Sequence, residues 1–405
     1  MAKRKELAKA ATGPLAGIRI LDMTSVVNGA YATQILADQG ADVIKLEDPG
    51  GLRGGGGDTM RWTGETPKGA PEGLGPIFLG LNRNKRSVAL DLKQESAKRA
   101  LRRLIRTADV FAASVRYEGL QRLGFGYEAM AAIKPDIIYV HAAGFGSEGP
   151  YAGDPAYDDL IQSACGLGDL LSRTDGDPEP RILPTLLGDK VSGLFMAQAV
   201  TAALLHRERT GQGQFVEVPM FECVTSFTLV EHLYGATFDP PVGQIGYPRV
   251  LNPNRKPFKT RDGHIGLLPY TDKQWGQFFA AAGWADTIAK DPRFSDTFAR
   301  QANIRELYAL VETVTVERPT DEWLALLKPL AIPVMRANRL GEVEHDPHIE
   351  AVGLLERYAH PEIGDYRLVR PPVRFAKTPS NIRRHAPRLG EHTDEVLGEA
   401  DDAQV

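Results

Sequence analysis

The apolar positions of the first half of the chain switch between two periods. Gly17-Ile-Arg-Ile-Leu-Asp22 and Val43-Ile-Lys-Leu-Glu47 are short apolar runs of strand type. Between them, Ala30 to Gln39 carries apolar side chains at helical spacing and is closed by Gly40, a residue suited to ending a helix. The alternation repeats: a strand over 87–92, a helix over 96–107, a strand over 109–114, a helix over 127–133 and a strand over 137–142. Strands alternating with helices predict an α/β fold, a mostly parallel sheet with helices on its faces. Ligands of such folds sit beyond the carboxyl ends of the strands. The apolar run Leu194 to Leu205 predicts one further, longer helix.

The pattern breaks after Met220. Thr237 to Pro257 is rich in Pro, Gly and Asn and reads as a linker or long loop. A new unit follows, with a hairpin-like segment over 258–268 and helices over 272–283, 296–313 and 320–331. The tail has strand signals over 366–376 and a short helix near Gly390 to Leu397. The expected organisation is therefore a large α/β domain over 1–222, a linker over 223–257, a small α+β domain over 258–340, and a return to the large domain over 341–405. A chain of 405 residues exceeds one comfortable core, which also favours two domains.

Composition narrows the function. The 42% hydrophobic and 25% charged content is that of an ordinary globular protein. With 48 basic against 52 acidic residues the net charge is −4, so no bulk attraction to nucleic acid is expected. No apolar run approaches the ~20 residues that span a bilayer. The basic start, Met1-Ala-Lys-Arg-Lys, lacks a signal-peptide core and reads as a solvated lead-in. Cys165 and Cys223 form no C-x-x-C pair and sit among small or apolar residues, as buried thiols in a reducing, cytoplasmic compartment would.

The candidate chemistry centres on Pro184-Thr-Leu-Leu-Gly-Asp189-Lys-Val-Ser-Gly193, which runs straight into the long apolar helix. An aspartate at the helix mouth accepts hydrogen bonds from free backbone N–H groups, and the helix dipole favours its ionised form. Locally, this is either a plain N-cap worth roughly 1 kcal/mol or a carboxylate poised as a nucleophile. Gly144-Phe-Gly146-Ser-Glu-Gly149 matches G-x-G-x-x-G, but Pro150 and Pro155 stand where that motif should open a helix, which argues against a dinucleotide site. The four glycines Gly54 to Gly57 lack a preceding strand and a following Lys-Ser/Thr, so a surface loop is the simpler reading. Asn82-Arg83-Asn84-Lys85-Arg86, with Arg116 and Arg122 further on, offers cations at strand ends: a grip for phosphate, or a solvated charged face. His345 and His348 bracket a proline and find no third partner, so no metal site is expected. A serine hydrolase is disfavoured by the absence of a G-x-S-x-G elbow.

Several motifs occur together in order: Pro14-Leu-Ala-Gly-Ile-Arg-Ile-Leu-Asp22, Gly40-Ala-Asp-Val-Ile-Lys-Leu-Glu47, Asn84-Lys-Arg-Ser with Leu90-Asp-Leu-Lys93, Gly144-Phe-Gly with Gly149-Pro150, His206-Arg-Glu-Arg-Thr-Gly-Gln-Gly-Gln214 and Gly390-Glu-His-Thr-Asp-Glu-Val-Leu397. In this the chain resembles the class III CoA-transferases, which include formyl-CoA and crotonobetainyl-CoA:carnitine CoA-transferases, over nearly its whole length. The resemblance implies a Rossmann-like large domain, a small domain and an interlocked homodimer. It implies that Asp189 is the nucleophile, passing an acyl group through a mixed anhydride and CoA through an aspartyl thioester. It also implies CoA contacts at Val27, Asn28, Leu90, Lys93, Arg116, Arg122 and Phe145. Acyl-CoA and a small carboxylic acid would be substrates, with no permanently bound cofactor and no metal.

Departures from the family pattern are visible as well. The usual Glu-Asn-Phe-x-Pro-Gly segment reads Ala113-Ser-Val-Arg-Tyr-Glu118, Asp48 replaces a frequent basic residue, and the glycine-rich lid of formyl-CoA transferases has only Gly243-Gln-Ile-Gly246 in its place. Within the same superfamily, α-methylacyl-CoA racemases place a histidine where this chain has Tyr157, just before Asp158 and Asp159. Racemisation, which needs a second acid/base on the α-carbon, and a non-catalytic CoA-binding role are the alternatives.

Overall fold

The computed structural model describes residues 4–50, 56–286 and 290–402. Met1 to Lys3 of the lead-in and Gly54 and Gly55 of the glycine run lie outside the described residues. The strand–helix alternation builds a six-stranded sheet from β1 (Arg19–Met23), β2 (Asp42–Glu47), β3 (Lys85–Ala89), β4 (Val110–Ala113), β5 (Ile138–Ala143) and β6 (Gln214–Pro219). Every pairing is parallel, and the spatial order is β3-β2-β1-β4-β5-β6, that of a doubly wound sheet. The sequence pattern does not predict β6, because Gln214 and Glu217 interrupt its apolar run.

Sheets covered on both faces are built from near-continuous apolar strands. Ile20, paired with Val43 and Val110, packs on one face with Val140, Leu36 and the long helix. Its neighbour Leu21 points to the other face, with Ile44, Phe111, Tyr139 and the helix Glu95–Thr107. The long helix, Leu187–Thr210, buries Met196, Ala197, Val200, Ala203 and Leu204 against the first face. It ends at Gly211, whose φ of 74° suits a residue without a Cβ. No helix among the described residues is long and apolar enough to cross a membrane.

The chain divides into two compact units. One takes the chain up to Leu167, Ile182–Thr228 and the chain from Val352 onward; the other takes Gly168–Arg181 and Leu229–Ala351. The first unit holds the six-stranded sheet and a smaller one in which Leu355–His360 pairs antiparallel with Gly364–Val369 and parallel with Arg4–Lys5. The second unit has a three-stranded antiparallel sheet packed on helices through Trp275, Phe278, Phe279, Val311 and Trp323. Two expectations need correction here. The expected linker from 223 begins inside a helix, Met220–His232, where Phe221, Val224, Phe227 and Leu229 sustain a helical apolar pattern. The helix expected over 296–313 is two helices, Thr297–Ala302 and Ile304–Thr315, interrupted at Asn303 with ψ of 32°.

The cations around β3 are neither phosphate grips nor a solvated face. Lys85 is fully buried, its ammonium 2.9 Å from Asp22 Oδ2 and donating also to Thr33 Oγ1, Asn82 Oδ1 and the Ala30 carbonyl. Arg83 pairs with Asp38 at 2.6 Å and Arg86 with Asp42 at 2.6 Å. Beside them Lys45 meets Asp58 at 2.9 Å and Arg61 meets Glu47 at 2.6 Å, all deep in the unit. Burial opposes ionisation of Asp22, but Lys85 and Lys45 outweigh it and hold its carboxyl below the usual range. Burial pushes Lys85 down to about 8, which leaves the pair charged at neutral pH.

Removing one partner of such a pair strands a buried charge and costs about 3–5 kcal/mol. Lys85→Met is therefore expected to lower the urea unfolding midpoint sharply. Lys85→Met combined with Asp22→Leu should recover part of that loss; equal midpoints for Lys85→Met and wild type would contradict the assignment.

Candidate active site

The loop from Thr24 to Asn28 joins β1 to the helix Asn28–Asp38, at the carboxyl end of the sheet. Asp22 Oδ1 accepts the N–H and hydroxyl of Thr24, and Lys45 donates to the Thr24 carbonyl. Asp58 Oδ1 accepts the Val26 N–H at 3.1 Å. These anchors hold Val26, a β-branched residue, at φ of 65°. Such strain persists only where surrounding contacts impose it, and it clusters at functional sites. Asn28, two residues further on, donates from Nδ2 to Ser192 Oγ at 2.5 Å; Ser192 in turn donates to the Gly188 carbonyl on the long helix. Loop and helix approach so closely that a Cβ on Gly193 would lie 2.7 Å from the Asn28 carbonyl oxygen.

Asp189 is not the N-cap. Leu186 holds that position, and Asp189 lies in the first turn of the helix with no capping bond from its side chain. The backbone N–H of Asp189 is instead satisfied by Asp158 Oδ1 at 3.0 Å, across from the helix Asp158–Ala164. Asp158 is fixed in turn by Gln162 Nε2 on its other oxygen. A remote carboxylate thus does the capping and leaves the Asp189 carboxyl free. That carboxyl, on a residue only 7% exposed, has no hydrogen-bond partner among the described residues. Burial, then the charges of Asp158 and Asp159, push its pKa up to about 6. The shift is opposite in direction to the one expected from a helix-stabilised carboxylate, and its causes are burial and the two neighbouring acidic side chains.

Asp189 lines a cavity of about 630 Å³ within the first unit, together with Asn28, Arg116 and Phe145 of the expected contacts, and with Tyr157. A second cavity of about 360 Å³ is lined by Leu90 and Lys93, and the two share Ser25. Both open at the carboxyl ends of β1 and β4, where this type of sheet takes ligands. Val27 is buried at the start of the Asn28–Asp38 helix and lines neither cavity; Arg122 is exposed and lines neither. Phe145 packs on Tyr151 and Phe221, in a loop whose Gly146 N–H is held by Glu222 and whose Ser147 N–H is held by Glu217. Gly144 is required there, since a Cβ would lie 2.3 Å from that of Ala156.

Sequence reading passed over two of the residues that build the site. Asp158 drew notice only as the neighbour of Tyr157, and Ser192 only as one residue of the segment Pro184 to Gly193. The signal for Ser192 was its place one turn beyond Asp189, where a hydroxyl can bond back to the Gly188 carbonyl. Chemically, the arrangement offers a desolvated carboxyl at the positive end of a 24-residue helix, beside a cavity of about 630 Å³.

Comparison with known proteins agrees on one family. The sequence model of CoA-transferase family III matches residues 15–393. The chain is 32% identical to the succinate–glutarate CoA-transferase of Agrobacterium fabrum, covering 95% of each chain. It is 34% identical to the acetyl-CoA:oxalate CoA-transferase of Acetobacter aceti, covering 85% of each. The crystal structure of a CAIB/BAIF family protein from Brucella suis superposes with a TM-score of 0.79 at 30% identity, over 96% of this chain and 100% of that one.

The free, buried carboxyl gives a direct expectation. The Asp189 carboxyl, followed by carbon NMR of carboxyl-labelled aspartate and assigned with Asp189→Asn, should titrate near 6. Asp158→Asn keeps an acceptor for the Asp189 N–H but removes a like charge, so the midpoint should fall. A midpoint in the ordinary aspartate range in the wild type would contradict the burial argument.

Proposed function

The chain belongs to CoA-transferase family III, enzymes that move CoA between an acyl-CoA and a carboxylic acid, and we propose that it does so through covalent catalysis at Asp189. The observation that carries this reading is the buried Asp189 carboxyl, without a hydrogen-bond partner among the described residues, on the wall of the larger cavity. An Asp189 oxygen attacks the thioester carbonyl of the donor; the C–S bond breaks, CoA leaves as thiolate, and a mixed anhydride remains. The thiolate then attacks the Asp189 carbonyl carbon, the donor acid departs with one oxygen that came from Asp189, and an aspartyl-CoA thioester forms. The acceptor carboxylate repeats both steps in reverse. Overall a thioester and a carboxylate are exchanged for a thioester and a carboxylate, and the covalent route divides one hard displacement into several easier ones without an external base. Desolvation raises the basicity of the Asp189 carboxylate, and the helix terminus offsets charge that develops beside it.

The second cavity suits the nucleotide end of CoA, with Leu90 and the leucines Leu120 and Leu123 for the adenine and Lys93 for phosphate. Arg122 is exposed beside Leu123 and is assigned to phosphate outside the cavity. Asn28, Arg116 and Phe145 then line the path of the pantetheine arm toward Asp189. Val27 belongs to the same loop as Asn28 and is buried. A homodimer is supported by large apolar side chains left open on the first unit: Leu194, Phe195, Leu205 and Phe227. Two free thiols fit a reducing cytoplasm. The acids named for the relatives, succinate, glutarate and oxalate, are the first acceptors to test.

Intact-protein mass spectrometry after incubation with a panel of acyl-CoAs should reveal a CoA-sized adduct that hydroxylamine removes. The adduct and turnover should vanish in Asp189→Ala while CoA still binds; turnover surviving in that variant would refute the mechanism. Arg122→Ala should raise the acyl-CoA KM by about ten-fold with a smaller change in kcat, as loss of binding common to ground and transition states requires.

A further inference from the structure

Asp158 is a buried carboxylate that meets no cation. It is 4% exposed, and among the described residues it enters no ion pair. Its oxygens take neutral donors instead: Oδ1 the backbone N–H of Asp189 at 3.0 Å, and Oδ2 the Gln162 amide at 2.6 Å. Gln162 is itself fully buried, and the rest of its amide is committed to the segment that leads into the long helix. Its Nε2 donates to the Thr185 carbonyl at 3.0 Å, and its Oε1 accepts the Leu183 N–H at 2.9 Å. Lys190, the cation beside Asp189 in the chain, is turned to the Thr185 hydroxyl at 2.6 Å. The first turn of the long helix is shaped to admit the carboxylate, because a Cβ on Gly188 would lie 3.1 Å from Asp158 Oδ1. Asp158 lines neither cavity, so its charge bears on the nucleophile from behind rather than on the ligand.

We propose that Asp158 is a fixed negative charge that loads the enzyme: by raising the free energy of the Asp189 carboxylate it shifts Asp189 toward its neutral aspartyl-CoA thioester. The inference rests on the CoA-transfer reading. In loading, the C–S bond of the donor breaks, a C–S bond to Asp189 forms, and the donor acid leaves with one Asp189 oxygen and with the negative charge. That charge passes from a buried site beside Asp158 into water. Hydrogen bonds from neutral donors hold Asp158 in place without cancelling its charge. A protonated carboxyl and a thioester are both neutral, so a like charge that favours the one favours the other to the same extent. Each pKa unit that Asp158 contributes therefore favours the loaded enzyme by about ten-fold. Asp158 acts through Asp189, as a residue that sets the state of the nucleophile.

The test equilibrates the enzyme with an acyl-CoA and rising amounts of its own acid, using acetyl-CoA, succinyl-CoA and glutaryl-CoA in turn. The pH is held about two units above the Asp189 midpoint of about 6, so that protonation does not compete. After an acid quench, intact-protein mass spectrometry reads the fraction carrying CoA, and the acid concentration that halves it measures loading. Asp158→Asn is expected to lose half its adduct at about ten-fold less acid than wild type. Asp158→Ser, whose hydroxyl can still accept the Asp189 N–H, should shift the same way and guards against misfolding of the first variant. Gln162→Met keeps the Asp158 charge but removes the amide that holds it, and its half-loading point should stay within about two-fold of wild type. Unshifted half-loading in both Asp158 variants, or an equal shift in Gln162→Met, would overturn this inference alone. A wild-type enzyme that forms no adduct with any of the three donors would overturn the CoA-transfer reading, and this inference with it.

Discussion

A buried ammonium ion is tolerable only where acceptors replace its water, and Lys85 has four: Asp22, Thr33, Asn82 and the Ala30 carbonyl. The same Asp22 turns its other oxygen to Thr24, while Lys45 reaches the Thr24 carbonyl from the opposite side. The charges beneath the sheet therefore do more than neutralise one another; they fix the first residues of the loop that enters the active site. From Thr24 the constraint passes to Val26, held at positive φ, and to Asn28, whose amide grips Ser192 on the long helix. Loop, helix and the position of Asp189 are thus tied to one desolvated ion pair.

At the far end of that chain of contacts, the division of labour between two aspartates sets the chemistry. Asp158 satisfies the helix terminus, which a nucleophile cannot do without losing an oxygen to a backbone hydrogen bond. Asp189 is left desolvated and near a like charge, which raises its pKa and its basicity together. A carboxylate in water is a weak nucleophile toward a thioester; one stripped of water and of hydrogen bonds is a stronger one, and the helix terminus limits the cost of that state.

Most of the strand–helix alternation was legible because buried parallel strands read as apolar runs. The helix Tyr127–Ile133 lies where its spacing places it. What escaped was set by tertiary context. β6 carries Gln214 and Glu217 in a partly exposed edge strand, so its pattern fades. The cations of Arg83-Asn84-Lys85-Arg86 looked solvent-facing because their partners Asp22, Asp38 and Asp42 lie dozens of residues away in the chain. Asp189 could be found from its segment, but its role as cap could not be excluded until Asp158 was seen in that role. The residues that line the cavity beside Asp189, such as Asn28, Arg116 and Phe145, come from separate loops and strand ends, and no local spacing groups them.

The central claim is that an oxygen of Asp189 is exchanged during turnover. It is tested most directly by supplying an acceptor acid labelled with heavy oxygen in its carboxylate and analysing the peptide that contains Asp189. Attack of the labelled carboxylate on the aspartyl thioester, followed by return of CoA to the acceptor carbonyl, leaves one labelled oxygen on Asp189. The next turnover carries label into the released donor acid. The account predicts heavy oxygen in both the Asp189 peptide and the donor acid, dependent on turnover. Turnover that leaves the Asp189 carboxyl unlabelled would contradict it.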